Sequence, residues 1–184
     1  LITITDFCLP EAFTPVELDG AICYTRLFLE TVLTEPHEKI IVKIFIKEKS
    51  DSIYPDSGGF TDQYAPGCFN VVIFKDTRKK MISVLSHELV HVKQYMENGF
   101  RIDRSKDMVY WEHDEYMPVH QLVAMHRDKA HELYALLPWE HDANLTLLAI
   151  IEMVTEKFEA LCKSDPNLRS FLIKAMKQPD YNIA

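Results

Sequence analysis

Three residues in the segment SVLSHELVHVKQY (83–95) have types and spacing that can do chemistry together: His87, Glu88 and His91. On an α-helix, positions i and i+4 project from one face about one turn apart. Both imidazoles can therefore turn a ring nitrogen toward one zinc ion, at about 2.0–2.1 Å each. Glu88 is one residue on and rotated by roughly 100° about the helix axis. From there it is badly placed to be a third ligand and well placed to reach a water beside the ion. A carboxylate in that position is a general base, taking the proton of a water that zinc acidifies. A histidine pair next to a buried stripe is costly unless something ligates or bonds it.

The element that must hold these residues is the clearest helix of the chain, 76–99. Asp76 or Thr77 can cap its start and Gly99 can end it. Met81, Leu85, Leu89, Val92 and Met96 recur at helical spacing as a core-facing stripe, with His87, His91 and Gln94 on a neighbouring face. Upstream, 14–34 reads as a helix, 39–48 and 68–74 as β-branched strands, and 52–67 as loop by its Gly, Pro, Asp and Ser content. Downstream, 100–117 reads as one or two short strands, and 119–137 fits helix or ordered loop. Pro138 sits where a long apolar helix over 139–162 begins, and 165–178 reads as a last short helix. The expected fold class is α+β, a small sheet beside several helices, in one domain spanning 1–184.

The His-Glu-Leu-Val-His run matches the HExxH pattern of zinc metalloproteases, so the chain resembles the zincins. A catalytic zinc needs a third protein ligand and an open position. In the metzincin class that ligand is a histidine after a glycine turn, HExxHxxGxxH. Here Gln94 stands at the glycine position and Glu97 at the third-histidine position, which excludes that class. The glutamate class takes its third ligand from a later helix. YALLPWEHDAN (134–144) resembles the segment that supplies it in small single-domain metallopeptidases of bacterial and phage type. The resemblance implies a gluzincin-like ligand set of His87, His91 and Glu140, and Tyr134 as the group that stabilises charge on the scissile carbonyl oxygen. Asn144, one turn after Glu140 on the same face, is placed to orient a ligand from behind, and Tyr95 and Tyr110, near the motif or the hairpin, read as core or rim aromatics. It also implies that the strand FNVVIF (69–74) lies at the sheet edge beside the active helix and pairs with an extended peptide. A central strand buried on both faces would carry the same residues.

His113, in YWEHDEY (110–116), is the rival third ligand and would make a three-histidine site of the SprT-like kind. The leading expectation is a zinc-dependent peptidase acting on a peptide or protein. The rival is a catalytically silent zincin-like protein that binds metal or partners. Glu88 favours chemistry, because a structural zinc has no use for a carboxylate beside its water and closes its shell with four protein ligands.

Composition narrows the rest. The net charge is −8 with lysine and arginine dispersed, so no nucleic-acid partner is expected, since phosphate binding wants a basic stripe. TRKK (77–80) and FRIDRSK (100–106) read as solvated surface. No run reaches the roughly 18 apolar residues of a membrane span. Cys8, Cys23, Cys68 and Cys162 form no CxxC pair, so cysteine-based metal binding is not expected. Reduced thiols and a cytoplasmic setting are.

Overall fold

The computed structural model describes residues 2–6, 15–34, 39–48, 50, 58–74, 76, 78–127 and 131–164. Helices and strands are mixed as an α+β arrangement. The strands β1 (Ile2–Asp6), β2 (Ile40–Lys47), β3 (Gly59–Ala65) and β4 (Cys68–Phe74) form one sheet in the order β1-β2-β4-β3. The first three in that order are parallel, and β3 runs antiparallel along β4. A parallel step needs a long crossover, and the helix α1 (Pro15–Val32) supplies it between β1 and β2.

Strand alternation decides what faces the helices. Ile40, Val42, Ile44 and Ile46 of β2 are buried, and in register beside them stand Phe69, Val71 and Ile73 of β4. These residues share one core with Tyr24, Phe28 and Leu29 of α1, with Leu85, Leu89 and Val92 of α2 (Arg78–Glu97), and with Ala143, Val154 and Phe158 of α5 (Pro138–Ser164). Fully burying one such Val, Leu, Ile or Phe side chain stabilises the fold by about 1.5–3 kcal/mol. A hydrogen bond of 2.8 Å between the Tyr24 and Ser86 hydroxyls ties α1 to α2 inside that core.

Two strand expectations are corrected here. The segment 52–67, read as loop, contains the strand β3. And β4 is not the edge: it lies between β2 and β3, with Val72 and Phe74 buried as well as Phe69, Val71 and Ile73. The edge beside α2 is β3, which carries Asp62, Gln63 and exposed Phe60 and Tyr64. The strand β1 was not foreseen, although the alternation ITIT (2–5) is a strand signal.

The helix α2 ends as expected at Gly99, whose φ is 67°. Only a residue that tolerates the left-handed region turns there without strain, and an added Cβ would also meet His113 at 2.8 Å. A second sheet follows, β5 (Arg101–Asp103), β6 (Met108–Trp111) and β7 (Asp114–Pro118), all antiparallel. The ambiguous stretch then forms two helices, α3 (Val119–Arg127) and α4 (His131–Ala135). Phe100, Val109, Leu122, Leu137 and Trp139 make a smaller core under this region, and Tyr95 packs against both cores. No helix among the described residues is long and apolar enough to cross a membrane. The helix read over 165–178 lies outside the described residues.

Candidate metal centre

α2 and α5 pack against each other and bring their polar faces together inside an otherwise apolar contact. His87 and His91 come from mid-α2, Glu140 from the first turn of α5. Pro138 fixes the start of α5, and the neighbouring Trp139 is buried against Phe100, with ring centroids 5.1 Å apart. Glu140 is thus delivered by a rigid, aromatic-packed helix end. His87 Nε2 lies 3.1 Å from Glu140 Oε2 and His91 Nε2 3.4 Å from Glu140 Oε1. One ligand atom from each of the three lies within 4.8 Å of the others, a group that could hold a metal ion.

The donor set suits zinc. Imidazole and carboxylate are both donors that zinc takes, and the two imidazole–carboxylate contacts run to different oxygens of Glu140. Two imidazole nitrogens and one carboxylate would leave one position open on a tetrahedral ion.

Glu88 is outside this trio and is 5% exposed. Its carboxylate accepts from the Thr61 hydroxyl at 3.0 Å, and the same hydroxyl lies 2.9 Å from the Glu88 carbonyl. Thr61 stands on β3, so the edge strand and the carboxylate are fixed to each other. Gly59 allows this approach: a Cβ there would meet the Val72 carbonyl at 2.5 Å and a Val84 methyl at 2.9 Å.

The charges are strongly coupled. Burial pushes the Glu88 carboxyl up, and the nearby His91 and His87 partly oppose that. Burial by itself would depress His91, but the Glu140 carboxylate at its Nε2 outweighs it and raises the imidazole to about 9. Burial would raise Glu140, yet His91 and His87 hold it well below the ordinary carboxylate range. In the metal-free protein the cluster is therefore a proton-holding imidazolium–carboxylate pair.

The other expected residues fall as follows. Tyr134, on α4, is half-buried, and its hydroxyl hydrogen-bonds the Glu140 carboxylate. Burial and that carboxylate raise its phenol well above the usual range, so it stays a neutral donor. Tyr95 stacks between Phe69 and Phe100, and Tyr110 lies under the Arg101 guanidinium. His113 is exposed in the β6–β7 turn with φ 73° and belongs to no ligand group among the described residues. The three-histidine alternative is corrected on that ground, because the turn carries His113 to the end of α2 beside Gly99 rather than to its middle. Asn144 is exposed and orients nothing in the cluster.

Three contributors were missed or misjudged from sequence. Thr61 lay in the unforeseen strand. Gln94 was placed on the histidine face without a role. It is fully buried, and its Oε1 lies 2.8 Å from His91 Nδ1. Asp142 takes the part given to Asn144, accepting from Gln94 at 2.7 Å. The one available signal was that Gln94 follows His91 by three residues on a helix, within reach of its ring.

Comparison of the chain with protein-family models, with curated proteins and with solved structures finds no match to any of them.

Proposed function

We propose that the chain is a zinc-dependent peptidase with a zincin-like fold, hydrolysing a bond in a peptide or protein. The observation that carries the reading is the convergence of His87, His91 and Glu140 on one point, with the buried carboxylate of Glu88 beside it and outside the trio. A zinc ion held by those three residues would acidify a water and polarise a carbonyl. Glu88 takes a proton from the attacking water and hands it to the departing amine. Its raised affinity for protons, set by burial, favours that exchange. The Thr61 hydroxyl holds the carboxylate in place. Tyr134, kept neutral, would stabilise the negative charge developing on the scissile oxygen by turning its hydroxyl from the Glu140 carboxylate to that oxygen.

Among the described residues β3 pairs on one side only, with β4. An extended peptide adding to its other edge would be aligned by main-chain bonds, and the Thr61–Glu88 link places that edge next to the base. A silent metal-binding domain would have no reason to bury an acidic side chain there, so the peptidase reading is preferred.

The test is zinc-dependent cleavage of a denatured protein substrate by the purified chain, beside Glu88→Gln. The variant should keep its zinc and lose about 10²–10⁴-fold in rate. Equal rates for variant and wild type would remove Glu88 from the mechanism.

A further inference from the structure

We infer that Gln94 is a positioning residue that holds the neutral His91 ring in the tautomer carrying its proton on Nδ1, so that once the ring gives up its second proton the Nε2 lone pair is the one turned to the cluster. The inference rests on the reading of His91 as a ligand only for its consequence for metal affinity. The tautomer itself follows from the hydrogen bonds.

The reasoning runs along a chain of donors and acceptors. Gln94 Nε2 lies 2.7 Å from the Trp139 carbonyl oxygen and 2.7 Å from Asp142 Oδ2. Both partners only accept, so the amide must present its two hydrogens to them. The other end of the amide is then the oxygen, and it sits 2.8 Å from His91 Nδ1. An oxygen there requires a hydrogen on Nδ1. Gln94 is fully buried and has no solvent-facing alternative. The competing acceptor is Glu140 Oε1, at 3.4 Å from Nε2. It would favour a hydrogen on Nε2, the arrangement that blocks the nitrogen from binding a cation. The shorter contact, from an amide pinned at its far end by two acceptors, decides in favour of Nδ1. The same two acceptors belong to α5, the helix that carries Glu140, so one side chain both sets the tautomer of His91 and latches the start of α5.

The experiment records the ¹⁵N resonances of the His91 ring in metal-free, histidine-labelled protein at alkaline pH, where imidazoles are neutral. Wild type should show a protonated, pyrrole-like Nδ1 and a pyridine-like Nε2. Gln94→Met, which fills a similar volume without an acceptor, should move the proton to Nε2, toward Glu140. A wild-type ring protonated on Nε2 overturns the inference, as does a Gln94→Met ring unchanged from wild type; the first result decides even if a variant fails to fold. In parallel, zinc affinity measured by competition with a chromophoric chelator should fall about 10–100-fold in Gln94→Met. Equal affinities in wild type and Gln94→Met would also overturn it. The ¹⁵N experiment uses no metal, so wild-type protein that takes no zinc would overturn the proposed function while leaving the tautomer to be judged by itself.

Discussion

Zinc entering the cluster must displace a proton, and the amount can be worked from the structure. His91 in the metal-free protein titrates at about 9 because Glu140 faces its buried Nε2. At pH 7 the ring is then about 99% protonated, and clearing it for a metal costs about 3 kcal/mol, since each unit is worth about 1.4 kcal/mol. The side chain is only 9% exposed, so solvent does little to soften this. Zinc affinity should rise about fiftyfold between pH 7 and pH 9, and binding at pH 7 should release about one proton from this group. The affinity is read by competition with a chelator of known pH dependence. The protons are counted by calorimetry in two buffers of different ionisation enthalpy. An affinity flat over that range, with no proton released at pH 7, would refute the electrostatic reasoning even if zinc binds tightly.

The same linkage fixes how the metal-free fold responds to pH. The folded His91 value lies above its ordinary 6.5, so its contribution is fully present below about pH 6.5 and is lost as pH rises through about 9. Urea unfolding with a chelator present should show a loss of up to about 3 kcal/mol over that window, and a gain in stability there would contradict the sign. Gly59→Ala should destabilise by about 1–3 kcal/mol, because its Cβ would press on the Val72 carbonyl of β4 and on a Val84 methyl of α2; a thermal melt unchanged from wild type would show that β3 does not approach β4 and α2 as closely as described.

What could be read from sequence, and what could not, follows from the range of the forces involved. The α2 helix was legible because its apolar stripe repeats every three or four residues and its end is marked by Gly99. The meeting of His87 and His91 was legible because helical geometry is local. Glu140 was reached only through resemblance to a known segment. No local rule says that the first turn of α5 comes back to the middle of α2. The edge strand failed for a related reason. GFTDQYA (59–65) has loop-forming residues and is a strand because β4 offers it a ladder, and the apolar run of β4 looks alike at an edge or at a centre. Asp142 and Thr61 were hidden by the same long-range packing. Asn144 was chosen by its spacing from Glu140, but that spacing points it to solvent.

The most direct test is where the metal sits. Crystals grown from zinc-loaded protein should give one strong anomalous difference peak at the zinc absorption edge, within about 2.0–2.2 Å of a nitrogen of His87, a nitrogen of His91 and an oxygen of Glu140, with Glu88 outside that shell. A fully loaded protein whose peak lies elsewhere, with His87 and His91 still hydrogen-bonded to Glu140 as they are without metal, would contradict the assignment of this cluster as the metal centre.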